Sequence, residues 1–273
     1  GCGECPWQQA CYDQAVQRED VSLVAGLRRN LKPQLLEAGI CSVSDLAATP
    51  ADVITEFRGV GDKTASKLVL QAKAQQSGQL ICLAKPTLPQ SPVELYYDIE
   101  SEPNLDVDYL HGLLIVEQGK EDRYLSFVAE SPSDEQQAFA EFIRIIKGIL
   151  DDHPHTPIYH YHNYERSHVK KLFDKYPDQV LPADVFLDRL VDLHKVLTEA
   201  FVLPVEGYGL KPVSKWLGFQ YRNTRSNAVM SMLWYRLWLD TGNRQYLDDS
   251  ILYNEDDCRA TKLIKDWLVT KES

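Results

Sequence analysis

The chain lacks any apolar run approaching the roughly 18 residues that a membrane-spanning helix needs. It also lacks a charged-then-apolar leader at its start. Both absences argue against a membrane partner and place the expected location in the cytoplasm. Basic residues are scarce relative to acidic ones, and the formal net charge is −11. That sign is the opposite of what a surface built for phosphate backbones usually carries. The deficit is uneven: residues 1–90 carry 9 basic and 9 acidic side chains, whereas residues 91–273 carry 20 and 31. No methionine opens the chain; Gly1 is followed at once by a cysteine motif, and the sequence reads as a piece of a longer protein whose upstream part is missing.

What is present is ordinary globular material. At 273 residues, 44% hydrophobic and 25% charged, the chain can bury one large core or two unequal ones. Residues 20–78 show apolar positions at helical spacing, as in Val24, Leu27, Leu31 and Leu35, and later Ala65, Leu68, Val69 and Ala72. Between them lies Phe57-Arg58-Gly59-Val60-Gly61-Asp62-Lys63, a Gly-x-Gly turn that opens a helix. Glycines let the backbone approach a ligand, the first N–H groups of the helix suit a phosphate, and Lys63 and Lys67 stand one turn apart. A structural hairpin that binds nothing is the alternative. Residues 21–85 carry 8 basic against 5 acidic side chains, and the prolines at 86, 89 and 92 mark a linker over 86–92.

From Val93 the pattern changes to strands, expected at 93–99, 111–117 and 123–129. Helical spacing follows over 134–150, then a short strand at 158–162 and a helix near 165–176. A three-strand meander followed by alternating helix and strand predicts an α/β domain, a mixed sheet flanked by helices.

Two acidic pairs carry the chemistry. Asp98 and Glu100 alternate on an expected strand and so share a face, while Tyr253 and Asp257 are four apart on an expected helix and share another. Carboxylates forced together repel unless cations neutralise them, which is the setting of a two-metal phosphoryl-transfer site. Separately, each pair also fits a solvated surface. Asp256 is about 100° around the helix from Asp257 and should face elsewhere. Asp192 fits either an acid near the site or a helix N-terminal charge. His160 and His162 alternate on one strand face and are read as satisfied or partly exposed histidines rather than ligands.

Cys2, Cys5 and Cys11 form a tight Cys-x2-Cys-x5-Cys cluster. Without a secretory leader a disulfide framework is not expected, so the cluster reads as metal ligation, with incidental clustering as the alternative. Cys41, Cys82 and Cys258 are isolated and read as small buried residues.

Asp98-Ile99-Glu100, His162-Asn163-Tyr164-Glu165 and Tyr253-x3-Asp257, in that order, resemble the DEDD (DnaQ-like) exonucleases with a tyrosine in the last motif. The turn at Gly59-Val60-Gly61, preceded by Leu36-Glu37-Ala38-Gly39-Ile40, resembles a helix-hairpin-helix. The three cysteines resemble the last ligands of the iron–sulfur cluster that closes many RecB-like nuclease domains. Together the modules resemble the C-terminal part of a predicted RecB-family nuclease: a cysteine-containing segment over 1–19, a helix-hairpin-helix over 20–85 and an RNase H-like exonuclease domain over 93–273.

That resemblance implies two divalent ions, Mg²⁺ or Mn²⁺, held by Asp98, Glu100, Glu165 and Asp257, with Tyr253 orienting the attacking water. It implies an RNase H-like fold, a nucleic-acid partner, DNA before RNA, and hydrolysis from a 3′ end. Gly59, Val60, Gly61, Lys63 and Lys67 would hold the backbone, with Asn163, Lys211 and Lys215 beside the groove. An iron–sulfur cluster on Cys2, Cys5 and Cys11 would be complete only in a full-length protein. The family places Asp where this chain has Glu165, one methylene longer, which opens a second reading: a catalytically weak nucleic-acid-binding or scaffolding module. A metal-binding structural domain without a nucleic-acid partner is a third. Trp216 and Leu217 read as core, and the helix around Trp234 and Trp238 as core or partner packing.

Overall fold

The computed structural model describes residues 5–224 and 226–271. In chain order its elements are α1 (Gln8–Gln17), a 3-10 turn (Val21–Leu23), α2 (Lys32–Glu37), α3 (Val43–Ala48), α4 (Ala51–Thr55), α5 (Asp62–Ser77) and β1 (Ile81–Cys82). There follow β2 (Val93–Glu102), β3 (Val107–Glu117), β4 (Arg123–Val128), α6 (Glu135–Asp152), β5 (Ile158–His160), α7 (Tyr164–Lys175), α8 (Ala183–Leu187) and β6 (Leu190–Asp192). The last are α9 (Leu193–Ala200), β7 (Phe201–Val202), α10 (Leu210–Trp216), α11 (Ala228–Thr241) and α12 (Arg244–Val269). Tertiary contacts group residues 1–85 with 198–213 in one unit, and 86–197 with 214–273 in another. Among the described residues no helix is long and apolar enough to cross a membrane.

In the first unit, local chemistry sets where helices start. Ser42 and Asp45 form a reciprocal capping box: Ser42 Oγ accepts from the Asp45 N–H at 3.0 Å and Asp45 Oδ2 accepts from the Ser42 N–H at 2.8 Å. Val21, Leu35, Leu46, Ile54, Leu68 and Ala72 meet in one buried cluster, where each fully buried leucine or isoleucine contributes about 1.5–3 kcal/mol. Gln71 is a polar residue on the buried face of α5, and its partners explain it. Its Nε2 donates to the carbonyls of Leu203 and Val205 at 2.9 and 3.0 Å, and its Oε1 accepts from the Tyr208 hydroxyl at 2.8 Å. With the antiparallel pairing of β1 and β7, these bonds fasten residues 198–213 to the helices. The sequence pattern expects that segment within 93–273; the Gln71 bonds and the two-residue strand pairing that attach it leave no periodic signal.

The second unit is α/β, as expected: a mixed five-stranded sheet in the order β4-β3-β2-β5-β6, flanked by helices. β2 pairs antiparallel with β3 and parallel with β5, and β5 runs parallel to β6. Val93, Leu95, Tyr97 and Ile99 of β2 pack against Phe139, Phe142 and Ile146 of α6 and Val169 of α7. The expected meander is present as β2, β3 and β4, and the helices expected over 134–150 and near 165–176 are α6 and α7; β2 and β3 are longer than the sequence pattern indicates. The strand expected to reach residue 162 stops at His160, because His162 turns to φ 76°, outside strand geometry. His160 and His162 therefore do not share a strand face. Cys258 is buried as expected, but Cys41 and Cys82 are exposed. Trp216 is also exposed, at 37%, and meets Trp267 edge-on at 5.6 Å instead of entering a core. Trp234 is buried, and the Trp238 indole donates to the Glu130 carbonyl at 2.8 Å, so both stay with their own unit.

Candidate active site

The period of β2 decides which side chains face α12. Its odd positions fill the core, so Glu94, Tyr96, Asp98 and Glu100 emerge on the opposite face, against which α12 packs. Lys265 of α12 pairs with Glu94 there. Four-residue spacing along α12 turns Tyr253, Asp257 and Thr261 toward the same place, all of them buried. The outcome is a triad: Asp98, Glu100 and Asp257 each offer a carboxylate oxygen within 4.8 Å of the others. Asp256 faces away as expected and bonds Arg222, Oδ1 accepting from Nε at 2.7 Å and Oδ2 from the backbone N–H at 2.9 Å.

Like charges at such spacing repel by several kcal/mol even at an effective dielectric near 20. The pKa of Asp98 is accordingly pushed well above the usual carboxylate range, first by burial, then by Asp257, Glu100 and Glu165. The phenols of Tyr253 and Tyr221 are raised by burial and then by the charge of Asp257, and both hydrogen-bond its carboxylate. They remain neutral donors. Asp257 Oδ1 is buried and accepts no hydrogen bond from the described residues, although the same carboxylate is engaged elsewhere. A set of hard carboxylate oxygens around an uncompensated negative charge fits Mg²⁺ or Mn²⁺.

Glu165 stands apart from the triad. It lies in the first turn of α7, buried, with Oε2 3.3 Å from Nδ1 of the buried His160. Burial raises its pKa while His160 opposes the rise. Its charge nonetheless reaches Asp98, so it borders the site without sharing the close oxygen cluster. Asp192, at the end of β6, does what a helix N-terminal acid does: Oδ1 accepts from the backbone N–H of His162 at 3.0 Å and of His194 at 2.9 Å. Asn163 is exposed at the N-cap position of α7, where its side chain makes no capping bond.

Two contributors have no sequence motif. Asn254 is fully buried beside Tyr253, its Nδ2 donating to Asp98 Oδ2 at 2.7 Å while its Oδ1 accepts from the Tyr124 hydroxyl at 2.9 Å. Gly112, opposite Asp98 on β3, makes room for that amide. A Cβ on Gly112 would stand 1.6 Å from Asn254 Oδ1 and 2.8 Å from the Tyr124 oxygen. The signal that could have found them is register: once Asp98 is paired with position 112, a glycine there marks a close approach.

Residues 95–269 match the family model of the RNase H superfamily. The chain belongs to the RNase H superfamily. RNase H-like nucleases usually use divalent metals, and this domain carries a cluster of acidic residues, Asp98, Glu100 and Asp257, that could hold one. Residues 19–74 match a second family model, the SAM-like helix-hairpin-helix tandem. The pair of domains is that of a nucleic-acid-processing nuclease. No curated protein and no solved structure matches the chain.

The helix-hairpin-helix turn has the form its sequence suggests. Gly59 takes φ +83°, a left-handed conformation that favours glycine, and the Val60 N–H closes the turn on the Phe57 carbonyl at 3.1 Å. Gly61 caps α5, with its carbonyl accepting from Thr64 and Ala65. Among the described residues no side chain caps this end, so the N–H groups of Asp62 and Lys63 stay open at the start of α5. Lys63 and Lys67 are exposed on the first two turns. Lys211 is half-buried and Lys215 exposed on α10; the first groups with residues 1–85 and the second with the RNase H-like unit. Cys5 and Cys11 are exposed free thiols, and Cys2 lies outside the described residues.

Proposed function

We propose that the chain is a metal-dependent nuclease that hydrolyses phosphodiester bonds from a 3′ end, with its helix-hairpin-helix holding DNA. The observation that carries this reading is the convergence of Asp98, Glu100 and Asp257 within 4.8 Å inside an RNase H-superfamily domain. A bound pair of divalent ions would lower the pKa of the attacking water and offset charge on the scissile phosphate. The chain's own residues do the rest. Asp98, Glu100 and Asp257 hold the ions, with Glu165 as the fourth carboxylate, and Tyr253 stays protonated and directs the water. Asn163, Lys211 and Lys215 line the strand's path by the family resemblance. The DEDD type, RecB-family origin, cytoplasmic location, and an upstream nuclease domain whose cluster uses Cys2, Cys5 and Cys11 belong to the same proposal.

The 3.3 Å contact between Glu165 Oε2 and His160 Nδ1 supports a second reading, a catalytically weak nucleic-acid-binding or scaffolding module. A carboxylate held by histidine is less available to a metal. Degradation of end-labelled single-stranded and duplex DNA and RNA, in Mg²⁺, Mn²⁺ or EDTA, separates the two. A metal-dependent ladder that shortens from the 3′ end supports the exonuclease. Salt-sensitive binding with no product in any metal supports the scaffold.

A further inference from the structure

Beside the hairpin, within the first unit, lies a pocket of about 370 Å³ that the hairpin's role in gripping a backbone does not use. Its apolar wall is built from the buried side chains of Leu68, Phe201 and Val202, with the half-buried Tyr208 ring beside them. Leu83, 44% exposed, and the exposed Lys63 and Lys67 stand at its mouth. Pockets of this size hold small organic molecules, and an apolar wall with aromatic rings and a cationic rim suits a flat base joined to a phosphate.

The surroundings are cationic as well. A narrow crevice that shares Gly26, Thr64 and Leu68 with the pocket is lined by Arg28, Arg58 and the hairpin residues Gly59 and Val60. None of the side chains of Arg28, Arg58, Lys63 and Lys67 pairs with an acid among the described residues. The acid of the hairpin is Asp62, at the first position of α5. Lys63 and Lys67 thus border the apolar cavity and Arg28 and Arg58 the crevice beside it, all four without an acidic partner among the described residues. A flat duplex backbone needs the charges but not the cavity.

We propose that this pocket receives one unpaired base of a single-stranded nucleic acid, whose flanking phosphates lie on Lys63 and Lys67. Residues 198–213, fastened to the helices by Gln71 and by β1, supply the ring face against which the base rests. The proposal deepens the nucleic-acid part of the reading above and rests on it for the ligand class, but not on catalysis. A base held here makes the hairpin a reader of unpaired strands.

The test uses the full chain in EDTA, so that no strand is cut. Fluorescence anisotropy compares a short labelled oligodeoxyuridylate, its oligouridylate counterpart and an all-abasic strand of equal length. The pocket predicts that at least one base-bearing strand binds about tenfold tighter than the abasic one. The preferred sugar names the source. The exposed pair Lys63→Glu with Lys67→Glu should weaken that strand about tenfold. Photocrosslinking with 5-iodouracil in the strand should label residues 198–213, and the double variant should lose the label. Equal affinity for abasic and base-bearing strands, or crosslinks confined to other segments, would overturn the pocket while leaving the nuclease reading intact. If the wild-type chain binds none of the strands, the nucleic-acid reading fails together with the pocket.

Discussion

The side-chain amide of Asn254 donates to Oδ2 of Asp98 at 2.7 Å, and its own carbonyl oxygen is held by the Tyr124 hydroxyl at 2.9 Å. Because the amide is pinned at both ends, it fixes the direction of one carboxylate in the triad. Such outer partners typically contribute 10–100-fold to metal affinity. Asn254→Ala should weaken Mn²⁺ binding at least about tenfold by titration calorimetry. Unchanged affinity would remove Asn254 from the site's design.

Gly112 gives that amide its space. Gly112→Ala sets a Cβ where Asn254 Oδ1 already lies, so it should cost about 2 kcal/mol or more in stability. Combining it with Asn254→Ser, which withdraws the two nearest obstructing atoms and leaves only the Tyr124 oxygen to give way, should recover most of the lost melting temperature but not the Mn²⁺ affinity. Recovery of both, or of neither, would contradict this account of the pair.

The triad should destabilise the metal-free protein. At a pH high enough to ionise all three carboxylates, Asp98→Asn removes one of three mutually repelling charges and should raise the metal-free Tm by about 2–4 °C, a gain of about 1 kcal/mol. The same variant should lose most of the Tm increase that Mn²⁺ gives the wild type. Differential scanning fluorimetry with and without Mn²⁺ reads both; a lower metal-free Tm in Asp98→Asn would count against repulsion.

His111 sets a separate pH dependence. It is fully buried between Tyr97, Phe139 and Phe142, and burial lowers its pKa from 6.5 to about 4, with nearby Asp108 opposing. The unfolded chain takes up the proton below about 6.5 and the folded chain only below about 4, so between them the unfolded state binds more protons. Stability should therefore fall as pH drops through that window, by about 3 kcal/mol in full from this group. Urea melts from pH 7 downward should show the fall, and His111→Gln should flatten it. A variant with the wild-type slope would assign the dependence elsewhere.

The legible parts of the site were the periodic ones. Asp98 and Glu100 declare a shared face by alternation, and Tyr253 and Asp257 by their spacing of four, so the triad could be assembled from sequence. Asn254 could not, because its partner is 156 positions away and becomes visible only through the pairing of Asp98 with Gly112. His160 was legible as a satisfied histidine but not as the partner of Glu165, which depends on where β5 ends and α7 begins. The chain's most surprising assignment, residues 198–213 with the helical unit, rests on Gln71. A buried glutamine in mid-helix gives no sign from sequence of which carbonyls it serves.

The central claim is that Asp98, Glu100 and Asp257 act together as the metal-dependent catalytic centre. Its most direct test is the rate of Mn²⁺-dependent release of mononucleotides from a 3′-labelled single strand, for the wild type and for Asp257→Ala, with strand binding in EDTA measured in parallel. The account predicts that Asp257→Ala loses at least about a thousandfold in rate while binding stays within about twofold. Release by Asp257→Ala at the wild-type rate would contradict it.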